Sequence, residues 1–153
     1  MSFDTRPGTR GARQPKGRIL AWLNGLNARR LRRRGGGKLM GFNALVLTTV
    51  GRKSGLERVT PLGWFPGNDD TWLIVASAAG APGNPAWYYN LAAHPDQVRI
   101  DVDGKAVDVR ADQLHGPERA EAWQRITTAV PRFAQYQVKT DRELPVIRLT
   151  PRH

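Results

Sequence analysis

The sequence has 153 residues, of which 40% are hydrophobic, so it predicts a single domain with an ordinary core. The sequence contains no cysteine, which excludes disulfides. It has no apolar run near the roughly 20 residues that cross a bilayer, which excludes a membrane-spanning helix. Its three histidines do not have the spacing of metal ligands, so no metal site is evident. The net charge of +11 lies almost wholly in residues 1–38, which hold eleven of the 24 Lys/Arg and one of the 13 acids, so the rest of the chain gives little support for specific nucleic-acid binding.

The N-terminal region divides into an arm and a helix. Residues 1–17 are rich in Arg, Gly and Pro and lack periodicity, which predicts a disordered basic arm. Residues 18–34 predict an amphipathic helix with Trp22 on its apolar stripe and arginines in its last turns, and a glycine linker follows to residue 38. Three roles fit this helix: packing on the domain, contact with an anionic membrane surface, or nucleic-acid binding. Since no secretory segment is evident, we expect a cytoplasmic protein, peripheral at the inner face of the cell membrane if the helix binds lipid.

Residues 39–153 predict one domain that is mainly β with helices. A helix is expected from Asn84–Pro85 to about residue 93 and another over 117–129, with a loop or irregular helix over 132–141. Short connections between the strands favour antiparallel pairing, so a small barrel with helices over its ends fits better than a doubly wound sheet. Pro61 belongs at a sheet edge or bulge. Six strands are predicted, over residues 44–50, 57–65, 71–77, 97–101, 106–111 and 146–150.

A basic loop follows the first of these strands. Arg52, Lys53, Ser54 and Gly55 bring together two cations, a hydroxyl and flexible backbone amides, which can surround a phosphate or carboxylate, and Arg58 can reach the same anion. A solubilised hairpin tip explains the loop equally well. The segment matches neither a P-loop nor a Rossmann fingerprint.

Two further segments point to a flat ligand. The small residues of 76–80 let a ring approach the backbone, although they also suit a flexible connection. Trp87 and Asn90 share a helix face and can line a heterocycle, although these aromatics are equally typical of a core. Tyr136 can hydrogen-bond a substrate oxygen or be structural. Because no catalytic triad or carboxylate pair is evident, we expect a bound cofactor to carry the chemistry.

The sequence resembles the deazaflavin-dependent nitroreductase and quinone reductase family, whose members use reduced coenzyme F420. The resemblance covers roughly residues 18–152. The matching motifs identify the family only in combination, because no single motif is specific enough by itself. It rests on Leu47–Gly55, Arg58, Pro61, Val75–Ser77, Gly80, Asn84–Leu91, Thr140–Arg142 and Pro145–Ile147.

The resemblance implies an FMN-binding split-barrel-like fold and a role for each matching position. The coenzyme's phosphate and acidic tail would be held by Arg52, Lys53, Ser54, Gly55 and Arg58. The deazaflavin ring would be lined by Pro61, Val75, Ala76, Ser77 and Gly80, with Trp87 and Asn90 closing the pocket. Ser77 and Tyr136 would face the substrate and hydrogen-bond the oxyanion that develops there.

The implied activity is hydride transfer from reduced coenzyme F420 to a quinone, enone or nitroaromatic, by a monomer or homodimer. Two positions depart from the family: Ala78 stands where a lysine is frequent, and Phe133 where a tyrosine is familiar. The first departure keeps open a non-catalytic F420 carrier. A second alternative is an FMN-dependent oxidoreductase with the same barrel, in which FMN, the less favoured cofactor, replaces F420.

Overall fold

The computed structural model describes residues 3–11, 37–39 and 42–152, and the helix expected over 18–34 lies outside them. One antiparallel sheet has the order β1-β2-β6-β7-β8-β5-β4, with β3 paired to β2. Its strands are β1 (Gly37–Leu39), β2 (Phe42–Val50), β3 (Glu57–Gly63), β4 (Phe65–Pro66), β5 (Trp72–Val75), β6 (Val98–Val102), β7 (Lys105–Gln113) and β8 (Val146–Pro151). The helices are α1 (Ala86–Ala93), α2 (Gly116–Ala129) and α3 (Arg132–Lys139), with a 3-10 turn at Ala78–Gly80.

The predicted α+β, split β-barrel fold is confirmed, with eight described strands rather than six. The three-residue β1 was not predicted, and the predicted strand over 57–65 divides into β3 and β4 around Trp64. Residues 132–139 form a regular helix. Pro61 lies on β3, which pairs with β2 and is off the main path of the sheet, as its missing N–H requires.

Strand β2 is buried on both faces, as its apolar run predicts. Leu45 and Leu47 point into the main core, while Ala44 and Val46 pack with Val59 on the other face. All four are at most 2% exposed. Burying one leucine side chain contributes roughly 1.5–3 kcal/mol, so this strand is a main source of stability.

A second core lies between the sheet and helices α2 and α3. Strand β5 alternates between the cores, because successive side chains of a strand point to opposite faces. Ile74 enters the main core, whereas Leu73 and Val75 face the helices. There they meet Ile126 of α2 and Phe133 of α3.

The direction of the strands brings two loops to one end of the sheet. Each neighbouring pair along β2-β6-β7-β8-β5 is antiparallel, so four reversals leave β2 and β5 running the same way. The loop after β2 and the loop after β5 therefore emerge at the same end. Helix α1 follows the second loop.

Residues 3–11 form a strap along the body, which differs from the disordered arm predicted over residues 1–17. Phe3 is 9% exposed and packs edge-on against Tyr88, with ring centroids 5.5 Å apart. The Tyr88 hydroxyl accepts a hydrogen bond from the Thr5 N–H at 3.0 Å and donates one to Gln113. Composition favoured disorder, but one apolar anchor and these buried polar partners hold this part of the arm.

The far end of the strap is held by Asp141. Its carboxylate accepts hydrogen bonds from the N–H and hydroxyl of Thr9, at 2.7 and 2.6 Å, and from the Arg10 N–H at 3.3 Å. The Thr9 donors favour the charged form and lower the pKa of Asp141 from 3.8 to about 2. The strap therefore depends on an ionised carboxylate.

Acid should release this end of the strap. Because the pKa of Asp141 is lowered in the folded protein, its hydrogen bonds stabilise the strap fully above pH 3.8. This stabilisation is lost as pH falls through about 2. We expect the Thr9 and Arg10 amide resonances to titrate in that window in NMR spectra. Asp141→Asn should show strap-released shifts at neutral pH and no titration, and a midpoint near 3.8 in the wild type would contradict the contact.

Candidate functional site

The loop after β2 is a tight turn that leaves its cations exposed. The Gly51 N–H donates to the Leu56 carbonyl and the Gly55 N–H to the Gly51 carbonyl, both at 2.8 Å. Gly55 has φ +71°, a left-handed conformation that glycine adopts without strain. Arg52 and Lys53 are exposed residues of this turn.

Arg58 lies beside the same turn, as predicted. It is opposite Thr49 in the β2–β3 register, and its Nε is 3.7 Å from where a Cβ on Gly51 would lie. Ser54 acts within the turn, since its Oγ accepts a hydrogen bond from the Leu56 N–H at 3.2 Å. The predicted anion-binding positions thus form one cluster around Gly51.

Asn90 fastens this turn to helix α1. Its Oδ1 accepts the Arg52 N–H at 3.0 Å, and its Nδ2 donates to Thr49 Oγ1 at 3.2 Å. The side chain is only 7% exposed. Asn90 was predicted to close the ring pocket, and its contacts with Arg52 and Thr49 also tether the basic loop to α1.

A chain of contacts continues from the basic loop to the loop after β5. The Arg52 guanidinium lies over the Tyr89 ring, 4.6 Å from its centroid. The Asn84 amide donates to the Tyr89 hydroxyl at 3.4 Å, and its Oδ1 accepts from Arg142 at 2.7 Å. A planar ligand cannot enter between Arg52 and Tyr89 at this separation, so binding there requires Arg52 to move.

Arg142 is the centre of the loop after β5. It is 2% exposed, and all five guanidinium N–H donors are used. Nη1 donates to the Ala76 carbonyl at 2.9 Å and to Asn84, Nη2 to the carbonyls of Ser77 and Ala81 at 2.9 and 3.0 Å, and Nε to Ala81 at 3.2 Å. Burial lowers the pKa of Arg142, with Tyr89 and Tyr88 acting in the opposite direction. An arginine nevertheless stays charged at physiological pH.

The loop that Arg142 holds has an unusual backbone. Ser77 is in the right-handed helical region at φ −78° and ψ −36°, and the next three residues have positive φ: Ala78 at 46°, Ala79 at 53° and Gly80 at 82°. A positive φ at alanine is strained and persists only where the surroundings impose it. Such strain is frequent at functional sites.

Helix α3 closes against the same loop. A Cβ on Gly80 would lie 2.7 Å from the Tyr136 carbonyl oxygen, so only glycine allows this approach. The Tyr136 ring is half-buried, edge-on to Phe133 at 5.7 Å, with the Lys139 ammonium 5.7 Å from its centroid. Ser77 and Tyr136 are therefore on adjoining segments, whereas Phe133 is buried in the second core.

Four residues predicted to line or close the ring pocket lie in the interior. Trp87 is 7% exposed and belongs to the main core, as does Ala76, while Val75 belongs to the second core. Pro61 is buried opposite Val46. Because these side chains are buried, a ligand could contact them only at the edge of a side chain or at backbone atoms.

Two cavities lie away from the predicted site. One of about 410 Å³ lies between α2 and strands β7 and β8, and one of about 210 Å³ lies at β2, β6 and β7. No predicted site residue lines either cavity. Among the described residues, no cluster of three or more metal-ligating side chains is present and no helix is long and apolar enough to cross a bilayer.

Sequence reasoning gave no role to several residues that build this end of the molecule. Arg142 and Asn84 were noted only as parts of segments that match the family, and Asn84 also as the start of a predicted helix. Both act through partners far along the chain, 61 to 66 residues away for the loop carbonyls bound by Arg142. No local pattern marks such a contact.

Comparison with known proteins gives consistent relatives. A family model described as F420H(2)-dependent quinone reductase matches residues 23–151. An F420H(2)-dependent quinone reductase of Mycobacterium tuberculosis is 41% identical over 112 residues, which covers 71% of this chain and 74% of that protein. A solved F420-H2 dependent reductase has a TM-score of 0.63 at 38% identity and covers 69% of this chain and 92% of its own. A solved domain-swapped dimer has a TM-score of 0.65 at 35% identity and covers 84% of this chain and 96% of its own.

Proposed function

The chain belongs to the F420H(2)-dependent quinone reductase family, and from this membership we propose that it transfers a hydride from reduced coenzyme F420 to a quinone. The observation that carries the proposal is the family match over residues 23–151, which includes both loops at the common end of the sheet. The relatives named for this activity are similar over more than two thirds of this chain.

The chemistry of the two loops supports F420 as the cofactor. F420 joins a flat deazaflavin to a string of negative charges. Arg52, Lys53 and Arg58 offer three exposed cations around one turn, which suits a phosphate and an acidic tail. The loop at 76–80 offers small side chains beside backbone, which suits a flat ring. Tyr89 and Asn84 connect these two regions.

The chain's own residues would position the reactants. When bound, the reduced coenzyme supplies the hydride, and a quinone that gains a hydride and a proton becomes a hydroquinone. We assign Ser77 and Tyr136 as the hydroxyls that hydrogen-bond the substrate oxygen as it gains negative charge. One such donor contributes roughly 3 kcal/mol to the transition state.

An assay with menadione tests the activity. Protein mixed with reduced F420 and menadione under anaerobic conditions should reoxidise the coenzyme, seen as returning deazaflavin absorbance, faster than a protein-free control. The double variant Ser77→Ala/Tyr136→Phe should be slower with similar coenzyme affinity. Binding without oxidation would support the carrier instead, and a purified protein with an FMN spectrum would support the flavin enzyme.

Two finer proposals concern the surroundings of the enzyme. The basic helix expected over 18–34 would give a cytoplasmic enzyme a peripheral contact with anionic lipid, where lipid-soluble quinones are found. Sedimentation with anionic vesicles should be lost with neutral vesicles or when the five arginines of 29–34 are replaced by glutamine. A solved structure that is 35% identical to this chain is described as a domain-swapped dimer, which supports a homodimer as one state of this chain.

A further inference from the structure

The strap formed by residues 3–11 passes close to the basic loop. The Thr5 carbonyl accepts a hydrogen bond from Asn84 Nδ2 at 2.9 Å, and the same Nδ2 donates to the Tyr89 hydroxyl at 3.4 Å. The Tyr89 ring in turn lies under the Arg52 guanidinium. Two side chains, those of Asn84 and Tyr89, therefore connect the strap to a cation of the proposed coenzyme site.

Farther along, the strap lies directly against the loop after β5. The Gly8 N–H donates to the Pro82 carbonyl at 2.6 Å. A Cβ on Gly11 would overlap the carbonyl oxygen of Gly80, so glycine at this position allows the strap backbone to touch the loop. The strap thus passes both of the loops to which the coenzyme is assigned.

Two cations of the strap have no counter-ion. The side chains of Arg6 and Arg10 are exposed, and neither forms an ion pair with any residue that the structure describes. The acid of the strap, Asp4, lies instead 3.8 Å from His115. Asp141 accepts the backbone N–H of Arg10 rather than its guanidinium. The docked strap therefore adds two positive charges to the end of the molecule that carries the basic loop.

We propose that the strap is part of the coenzyme site, and that Arg6 and Arg10 bind the negative charges of the coenzyme together with the cations of the basic loop. This inference rests on the proposed function, because it takes F420 as the polyanionic ligand. A surface lined by one sign of charge concentrates ligands of the opposite sign, and a guanidinium can form paired hydrogen bonds with a phosphate or a carboxylate. A ligand with a string of negative charges can contact more cations than one turn supplies.

Docking of the strap and binding of the coenzyme should then stabilise each other. Arg6 and Arg10 are held beside the ligand only while Asp141 holds the strap, so F420 must bind the docked state better than the released state. By linkage, the factor by which docking strengthens binding equals the factor by which binding favours docking. A strap that only packs against the body would not show this coupling.

Fluorescence titration with F420 measures the contribution of the two arginines. Arg6→Gln/Arg10→Gln should bind F420 about tenfold more weakly than the wild type, which is the size expected for two exposed charge contacts. The matched control, Lys105→Gln/Arg110→Gln, removes the same net charge from exposed positions of β7 and should bind within about twofold of the wild type.

Asp141→Asn tests whether the strap must be docked. This change removes a negative charge, so overall electrostatics alone would strengthen the binding of an anion. We expect instead an affinity loss of about tenfold, because the strap is released. In the triple variant Arg6→Gln/Arg10→Gln/Asp141→Asn, the loss should stay near tenfold rather than reach the roughly hundredfold of independent effects, because the arginines of a released strap no longer contribute.

Hydrogen exchange of the Thr9 and Arg10 amides gives a readout that needs no catalysis. Saturating F420 should slow this exchange about tenfold in the wild type and leave it unchanged in Arg6→Gln/Arg10→Gln. The inference would be overturned if this double variant bound F420 as tightly as the wild type, or if its loss added fully to that of Asp141→Asn. A wild type that binds no F420 would overturn the proposed function itself, and the inference with it.

Discussion

Replacing Arg52 and Lys53 together by alanine should weaken F420 binding by about 100-fold or more. Hydrogen bonds to charged partners contribute roughly 1.5–3 kcal/mol each, and 1.4 kcal/mol is a tenfold change in the dissociation constant. Both residues are exposed in a turn held by its own backbone, so the loss of their side chains should leave the fold intact. Titration of F420 fluorescence against each protein measures the effect.

The control for this double variant keeps the change in net charge the same. Lys105 and Arg110 are exposed on β7, where Arg110 is 3.8 Å from Asp112, and neither belongs to the proposed coenzyme site. Lys105→Ala/Arg110→Ala should bind F420 within about twofold of the wild type. The assignment of the basic loop would fail if both double variants lost affinity equally, since the cause would then be the overall charge.

Replacing Asn90 by alanine should both destabilise the protein and weaken coenzyme binding. The side chain satisfies the Arg52 N–H and the Thr49 hydroxyl, which is itself 2% exposed. Leaving such partners unsatisfied costs about 2 kcal/mol, or about 5 °C in the melting temperature of a domain of this size. The released loop should then bind F420 about tenfold more weakly, because its cations are no longer held in place.

Asn68→Ala gives the comparison for this prediction. Asn68 lies in an exposed turn, where its Oδ1 accepts a hydrogen bond from Arg125 at 3.1 Å. Exposed groups find water when a partner is lost, so its melting temperature should fall by less than about 2 °C. Denaturation followed by circular dichroism compares the variants. A fall for Asn90→Ala no larger than for Asn68→Ala would contradict the tether.

The elements that could be predicted are those with a local physical signature. Strand β2 is a run of apolar residues, the β6–β7 hairpin has the Asp103–Gly104 turn, and α1 begins after a proline. The basic loop was recognisable because glycine and cation follow a buried strand. β1 and the break between β3 and β4 were not predicted, because strands of two or three residues carry no periodicity and pairing with a neighbour defines them.

The site was predictable in composition but not in arrangement. The sequence identified which loops carry cations and which carry small residues. It could not reveal that Asn90 tethers one loop or that Trp87 lies mainly in the core, because on a short helix the same spacing serves a core or a pocket. The strap was predicted to be disordered because its composition does not reveal contacts with distant residues. The partner of Thr9 is 132 residues away along the chain.

By itself, then, the amino-acid order determined the strand-rich class, the family, the coenzyme and the two loops, because periodicity, turn chemistry and motif residues are local properties of a chain. The tertiary structure alone decided that these loops share one end of the sheet and that Arg142 shapes one of them. The physical reason is that a buried guanidinium must find acceptors for all five donors, and only the folded chain brings four such groups within reach.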